Sequence, residues 1–236
     1  MIEGIIFDFD GTLVDYHKVD KKALFGVVSR MNKNVDGEEF YEQSGEILAN
    51  LYELGIKFES EIHRERLLQT CKYFGMEYKE QYLKEYFSIY LNENKPYEGA
   101  AEILEYLKGK VRLGLLTNAM DIKEQRERIR NSGLEKYFDV ICLAEEIDAY
   151  KPDKKAFEIM ADKLGSKPHK IIFIGDSEKN DIKGAKNARM ITIKKNNKIK
   201  KQTAADYQFT EYLELQRILE EIGIKKGGYL PPPYSG

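Results

Sequence analysis

Four short, predominantly apolar runs in this chain, at 5–7, 111–116, 140–143 and 171–174, are each followed closely by polar residues. Predominantly apolar runs of this length are typical of strands that are buried on both faces of a sheet. Strands that alternate with helices form parallel sheets through right-handed crossovers. The pattern therefore predicts an α/β fold, a Rossmann-like doubly wound parallel sheet that is covered by helices on both faces.

The segments between the later runs repeat their apolar residues every three or four positions, which is the spacing of an amphipathic helix. Such spacing occurs at 100–107, 122–129 and 156–164. Towards the end of the chain, 190–193 and 207–209 favour two more strands, and 212–222 favours a last helix. These elements complete the predicted sheet and its covering helices.

A long interval interrupts this alternation between the first two strands. Roughly a hundred residues separate Asp10 from Thr117, whereas an ordinary βαβ crossover needs about thirty. Three helical stripes occupy the interval: Phe40, Ile47, Leu48, Leu51 and Leu54; Leu67, Leu68, Cys71 and Phe74; and Tyr82, Leu83, Tyr86, Phe87 and Tyr90. We therefore expect a small α-helical domain at 15–95, inserted into a core domain formed by 1–14 and 96–236.

Composition excludes several classes of partner. The 236 residues carry a net charge of −2, which gives no bulk field to attract nucleic acid or an anionic membrane. The apolar runs are far shorter than a membrane span, and the first residues lack the cationic start of a signal peptide, so a cytoplasmic location is expected. Cys71 and Cys142 lie in apolar segments and are predicted to be buried, reduced thiols.

Polar side chains follow the predicted strands, and the carboxyl ends of parallel strands meet at one edge of a sheet. We therefore expect the following residues to converge there: Asp8, Asp10, Thr117, Asn118, Asp176 and Asp181. Carboxylates that are brought together repel one another unless a cation lies among them, and hard oxygen ligands suit Mg²⁺. The sequence thus predicts a magnesium site.

Three further residues carry groups that bind phosphate. Thr117 and Asn118 offer a hydroxyl, an amide and backbone N–H groups near a helix start, and Lys151 adds a positive charge before another helix. Taken singly, such residues are more often turn, cap or solvated residues. Their occurrence together, in this order along the chain, favours a catalytic site.

Four motifs in order carry a resemblance to a known family. They are DFDGTLVD at 8–15, LLTNA at 115–119, KPD at 151–153 and GDSEKNDIKGAKNA at 175–188. In these motifs the chain resembles the haloacid dehalogenase-like (HAD) hydrolase superfamily, in particular subfamily I with a helical C1 cap and its phosphoglycolate-phosphatase-like branch. The inserted helices correspond to that cap. Arg189 departs from the pattern, since relatives commonly carry Gly there.

The resemblance implies a role for each matching residue. Asp8 is the nucleophile that forms an aspartyl-phosphate, and Asp10 is the general acid and base. Mg²⁺ is held by the carboxylates of Asp8 and Asp176 and by the backbone carbonyl of Asp10, while Asp181 orients water or Lys151. The residues that bind the phosphate oxygens are Thr117, the amide of Asn118 and Lys151.

The resemblance leaves more than one function open. A 2-haloacid dehalogenase uses the same Asp nucleophile but expels halide, which needs no proton, whereas a phosphate ester expels an alkoxide that benefits from an acid. Asp10 supplies that acid, and true dehalogenases usually lack one at its position. The sequence therefore favours Mg²⁺-dependent hydrolysis of a small phosphorylated metabolite by a monomer or homodimer. A catalytically inactive binding or regulatory protein is the other alternative.

Overall fold

The structure is a computed structural model of the chain. It describes residues 1–31, 34–53, 59–119, 121–197, 199 and 202–224. Within these residues the strands are β1 (Gly4–Phe7), β2 (Arg112–Thr117), β3 (Val140–Leu143), β4 (Ile171–Gly175), β5 (Ile191–Lys195) and β6 (Tyr207–Phe209). The helices are α1 (Tyr16–Ser29), α2 (Gly37–Glu53), α3 (Glu59–Tyr73), α4 (Glu80–Tyr90), α5 (Ala100–Leu107), α6 (Ile122–Asn131), α7 (Ala144–Ile147), α8 (Lys154–Lys163), α9 (Gly184–Asn187) and α10 (Tyr212–Ile222).

The six strands form one parallel sheet in the order β3-β2-β1-β4-β5-β6. Strand β1 lies in the middle, where Phe7 pairs with Leu115 of β2 and with Ile174 of β4. Every residue of β1 and β4 is buried, as the uniformly apolar runs predict. The predicted Rossmann-like α/β fold is confirmed, and the carboxyl ends of β1, β2 and β4 lie side by side.

The chain divides into two compact units. The core unit comprises Met1–Asp15, Lys95–Ala119 and Gly133–Gly236, and the helical unit comprises Tyr16–Asn94 and Met120–Ser132. Helix α6 belongs to the helical unit because Arg128 Nε donates to Asn94 Oδ1 at 3.1 Å and Asn131 Nδ2 donates to the Leu91 carbonyl at 3.0 Å. Chain order alone did not indicate this grouping.

The helical unit contains one helix that the predicted stripes omitted. Helix α1 begins at Tyr16, so the segment after the first motif is helical from its start. Its buried apolar residues are Val19, Ala23, Leu24 and Val27, a spacing that would have predicted the helix. Leu54, the last residue of the first predicted stripe, lies outside the described residues.

A buried ion pair links α1 to α3 inside the helical unit. Arg66 donates from Nη1 and Nη2 to the two carboxylate oxygens of Asp20, at 2.7 and 2.9 Å. Tyr86 Oη donates to Asp20 at 2.7 Å, and Arg66 Nε donates to Ser44 Oγ at 2.7 Å. Burial alone would raise the pKa of Asp20, but the hydrogen bonds and charge of Arg66 outweigh it and hold that pKa below 3.8.

We expect Arg66→Met to lower the free energy of unfolding by about 3–5 kcal/mol, because removing one partner leaves the other charge buried and unpaired. Urea denaturation followed by circular dichroism measures the loss. Arg64→Met, on the same helix, is the control, since Arg64 and Glu80 form an exposed pair that contributes about 1 kcal/mol or less. Equal losses in the two variants would contradict this account.

The contribution of the ion pair between Asp20 and Arg66 to the free energy of unfolding depends on pH. Because the pKa of Asp20 is lowered by folding, its contribution is present above the unfolded-state pKa and is lost as pH falls through the folded-state pKa. In the same denaturation experiment, the wild type should therefore lose this contribution to its stability as pH falls below about 4.

Arg189 lies two residues after the end of α9 and adopts the left-handed region, with φ of 65°. The turn is closed by hydrogen bonds from Arg189 N to the Lys186 carbonyl at 2.9 Å and from Met190 N to the Ala185 carbonyl at 3.0 Å. This is the geometry in which helices usually place Gly, and a residue with a Cβ atom costs about 1–2 kcal/mol there. The departure noted in the sequence therefore carries backbone strain.

Arg189→Gly should raise the free energy of unfolding by about 0.5–1 kcal/mol, because relief of this strain exceeds the entropy that Gly adds to the unfolded chain. Arg189→Ala is the matched control, since it removes the side chain but keeps the strain. Urea denaturation measures both variants. A Gly variant that is no more stable than the Ala variant would show that φ is not the cause.

The structure also bears on the two cysteines and on membrane-spanning helices. Cys71 and Cys142 are both buried and form no disulfide, as predicted. Within the described residues, no helix combines the length and apolar character that crossing a bilayer requires.

Candidate active site

A tight turn after β1 fixes the first motif. Leu13 N and Val14 N both donate to the Phe9 carbonyl, and Gly11 N donates to the Val14 carbonyl at 2.9 Å. Gly11 has φ of 79°, and a Cβ atom there would come within 2.4 Å of Asp176 Oδ2. The turn therefore needs Gly for its backbone conformation and for the close approach of the β4 loop.

Asp8 is the first residue after β1 and is 5% exposed. Its Oδ1 accepts a hydrogen bond from Lys151 Nζ at 2.6 Å, and its Oδ2 accepts one from Thr12 Oγ1 at 3.0 Å. Both oxygens are thus oriented by donors from the core unit. These hydrogen bonds fix the orientation of the Asp8 carboxylate, and a nucleophile needs a fixed orientation towards the atom that it attacks.

Lys151 is held both at its backbone and at its ammonium group. The Asn118 carboxamide accepts from Lys151 N and donates to the Lys151 carbonyl, each at 2.9 Å. The ammonium also donates to Asp181 Oδ1 at 2.7 Å. Burial by itself lowers the pKa of Lys151, but the charges of Asp181 and Asp8 raise it above its ordinary value, so this buried side chain stays a cation.

The loop after β4 supplies two more carboxylates. Asp176 follows Gly175 directly, and Asp181 lies in a π-helical turn, Glu178–Lys183. Asp181 Oδ2 accepts from Ser177 N at 2.9 Å, so this side chain ties the loop to Lys151. A Cβ atom on Gly175 would lie 2.5 Å from the Asp181 Cβ atom, which explains why the strand ends in Gly.

Asp8, Asp176 and Asp181 form an acidic cluster, in which one carboxylate oxygen of each residue lies within 4.8 Å of one from each of the others. Burial raises the pKa of Asp8 well above 3.8, and burial with the charge of Asp181 raises that of Asp176 to about 6. Removal from water and mutual repulsion thus oppose ionisation of the cluster. Three convergent hard oxygen donors fit a divalent cation, which would favour their ionised forms.

The structure places the remaining predicted site residues at the same edge of the sheet. Thr117 is the last residue of β2 and is 1% exposed. Asp10 lies two residues after Asp8, in the turn, and is more exposed than Asp8. Asn118 lies close enough to Lys151 to bind its backbone, so its carboxamide is engaged there and its role towards phosphate stays a prediction.

Sequence reasoning missed two contacts. Thr12 is fully buried and its hydroxyl orients Asp8. From the sequence, this residue of the first motif is assigned no role. Asn118 braces Lys151 from 33 positions away in the chain. The contact of Thr12 could have been predicted, because its hydroxyl lies four residues from the nucleophile in the sequence. No local pattern predicts the contact between Asn118 and Lys151.

The chain is similar in sequence to known proteins over most of its length. The model of a family described as haloacid dehalogenase-like hydrolase matches residues 5–195. A glyceraldehyde 3-phosphate phosphatase from Methanothermobacter thermautotrophicus is 30% identical over 207 residues, 84% of this chain and 88% of that protein. The N-acylneuraminate-9-phosphatase of Homo sapiens is 25% identical, over 95% of this chain and 96% of the relative.

Solved structures show the same fold. The HAD-hydrolase YfnB of Bacillus subtilis, bound to magnesium, matches with a TM-score of 0.77 and 25% identity, covering 92% of this chain and 98% of that one. An L-2-haloacid dehalogenase from Xanthobacter autotrophicus, with chloropropionic acid covalently bound, matches with a TM-score of 0.74 and 20% identity, covering 94% of this chain and all of that one. The second likeness concerns the fold alone.

Proposed function

Since the chain belongs to the haloacid dehalogenase-like hydrolase family, we propose that it is a magnesium-dependent phosphomonoester hydrolase with Asp8 as its nucleophile. The observation that carries the proposal is the position of Asp8. It lies buried at the carboxyl end of the central strand, with both oxygens held by Lys151 and Thr12 and with Asp176 and Asp181 beside it. The phosphatase relatives support hydrolysis of phosphate esters as the reaction.

The residues present fit a divalent cation. Asp8 and Asp176, with the backbone carbonyl of Asp10, would hold it, and Asp181, which accepts hydrogen bonds from Lys151 and Ser177, would orient Lys151 from beside them. When bound, Mg²⁺ stabilises negative charge on the phosphoryl oxygens as a Lewis acid. Oxygen donors alone, without His or Cys, favour Mg²⁺ over zinc.

The first half of the reaction transfers the phosphoryl group to the protein. An oxygen of Asp8 forms a bond to phosphorus while the bond from phosphorus to the leaving oxygen breaks. Asp10 donates its carboxyl proton to that oxygen, so an alcohol leaves instead of an alkoxide. Lys151 and the Thr117 hydroxyl offset the charge that builds on the nonbridging oxygens.

The second half returns the enzyme to its starting state. The Asp10 carboxylate accepts a proton from water as the water oxygen bonds to phosphorus, and the bond from phosphorus to Asp8 breaks. Phosphate leaves, and Asp8 is again a carboxylate. Lys151 keeps its hydrogen bond to Asp181 as an anchor, so its ammonium stays in position when Asp8 is esterified.

Dehalogenation is the second candidate, because solved dehalogenases share the fold. Asp10 disfavours it for the reason given from the sequence: halide leaves without a proton. The substrate is proposed only as a small phosphorylated metabolite, since the two relatives act on a triose phosphate and on an acylneuraminate phosphate by name. The assignment of 15–95 as a cap domain and the cytoplasmic location stay predictions.

A panel of phosphorylated metabolites tests the proposal. Phosphate release is measured with Mg²⁺ and with a chelator, and halide release from 2-haloacids is measured in parallel. We expect phosphate release that depends on Mg²⁺ and no halide release. Halide release without phosphatase activity would establish the dehalogenase, and the absence of both activities would favour the inactive binding protein.

A further inference from the structure

Lys195 is a buried lysine at the same edge of the sheet that the reaction does not use. It is the last residue of β5, and its neighbour Lys194 pairs with Gly175, the residue before Asp176. Lys195 is only 3% exposed. The sheet therefore places a second buried lysine, in addition to Lys151, next to the loop that begins at Asp176.

The contacts of Lys195 differ in kind from those of Lys151. Its Nζ lies 3.7 Å from the centre of the Tyr97 ring, as in a cation–π interaction. Its hydrogen bond to Asn197 Oδ1 is long, at 3.5 Å. Among the residues that the structure describes, no carboxylate forms an ion pair with it. A buried ammonium without an ion pair is costly, so this charge must be compensated at longer range.

The compensation comes from carboxylates around the site. Burial lowers the pKa of Lys195, and the charges of Asp176, Asp15 and Glu211 oppose that effect. The interaction is mutual, because Lys195 and Asp176 carry opposite charges. The Tyr97 hydroxyl bonds to the Asp15 carboxylate, so the ring beneath Lys195 is itself anchored in the first motif. Lys195 thus faces the acidic edge through space, held by Tyr97.

We propose that Lys195 is a positioning residue that sets the charge balance of the acidic cluster, acting through Asp176 without touching the substrate. The proposal rests on the cation site proposed above. A fixed positive charge at this position weakens the binding of a cation and strengthens the binding of a phosphate anion. Lys151 secures the geometry of the cluster, whereas Lys195 adjusts its affinity for two ligands of opposite charge.

The test is Lys195→Met, with two binding measurements on the purified full chain. Calorimetric titration of MgCl₂ into the metal-free protein gives the Kd for Mg²⁺. Inhibition of ester hydrolysis by inorganic phosphate, at saturating Mg²⁺, gives its inhibition constant. We expect the Kd for Mg²⁺ to fall about three- to tenfold and the inhibition constant for phosphate to rise by a similar factor, since charges at this range act through a screened, partly buried medium.

In Lys195→Met the two constants are expected to change in opposite directions. This distinguishes an electrostatic role from a structural one, because a loosened site would bind both Mg²⁺ and phosphate more weakly. Lys195→Arg keeps the charge and should restore both constants. Lys186→Met removes one positive charge elsewhere in the core unit, where Lys186 pairs with Asp206, and should change neither. Lys195→Gln replaces Lys195→Met if the latter does not fold, as judged by circular dichroism.

Three results would decide against the proposal. An unchanged Kd for Mg²⁺ in Lys195→Met, with a wild type that binds Mg²⁺, would overturn this proposal and leave the proposed function intact. Weaker binding of both ligands would assign Lys195 a structural role only. A wild type that binds no Mg²⁺ would contradict the proposed function itself.

Discussion

Asp8→Asn should abolish hydrolysis of phosphate esters, with a loss in kcat of about 10⁴-fold or more. The amide cannot form the covalent intermediate, and removal of a nucleophile leaves only the residual contribution of binding and charge stabilisation. Asn has nearly the same size and shape as Asp, so Thr12 and Lys151 can stay in their positions around residue 8. Steady-state release of phosphate from the best ester of the panel measures the loss.

Two controls accompany this variant. Asp162→Asn makes the same chemical change at an exposed position of α8 and should retain full activity. Asp8→Ala guards against slow deamidation of the Asn back to Asp. Activity within tenfold of the wild type in Asp8→Ala, with a folded protein by circular dichroism, would remove Asp8 from the nucleophilic role.

Asp10→Asn should lower turnover of an alkyl phosphate by about 10²- to 10⁴-fold, the usual contribution of general acid–base catalysis. An aryl phosphate whose phenol leaves readily needs little protonation, so its first step should be less affected than that of the alkyl ester. Its second step still requires Asp10 as a base. We therefore expect the phosphorylated protein to accumulate with the aryl ester and not with the alkyl ester.

Rapid mixing with the aryl ester measures this difference as a burst of phenol release followed by slow turnover. The wild type is the reference for burst size, and Asp10→Asn should release about one phenol per active site before turnover slows. If the two esters lost activity equally and no burst occurred, Asp10 would not be the acid and base. Near-normal turnover of the alkyl ester would contradict its role altogether.

The fold was predictable because its signal is local and repeated. Runs such as 5–7 and 171–174 are apolar at every position, which is the mark of strands buried on both faces, and they became the central strands β1 and β4. Helix α1 lies outside the three predicted stripes, although Val19, Ala23 and Val27 carry the ordinary spacing of a helix.

The convergence of the acidic residues was predictable from the sequence, but their contacts were not. A parallel sheet brings the carboxyl ends of its strands together, so Asp8 and Asp176 had to approach one another. The bond between the Asn118 carboxamide and the Lys151 backbone depends on how two distant loops pack, and no periodicity encodes it. The contact between Lys195 and the Tyr97 ring likewise joins two distant parts of the chain.

The most direct test of the central claim is to trap the covalent intermediate. The protein is mixed with a phosphate ester and Mg²⁺, quenched in denaturant during turnover, and treated with borohydride, which reduces an acyl phosphate to an alcohol. Peptide mass spectrometry then locates the reduced residue. The account predicts homoserine at position 8, only when the ester is present and not in Asp8→Asn. Reduction at another acidic residue, or no reduction while turnover proceeds, would contradict it.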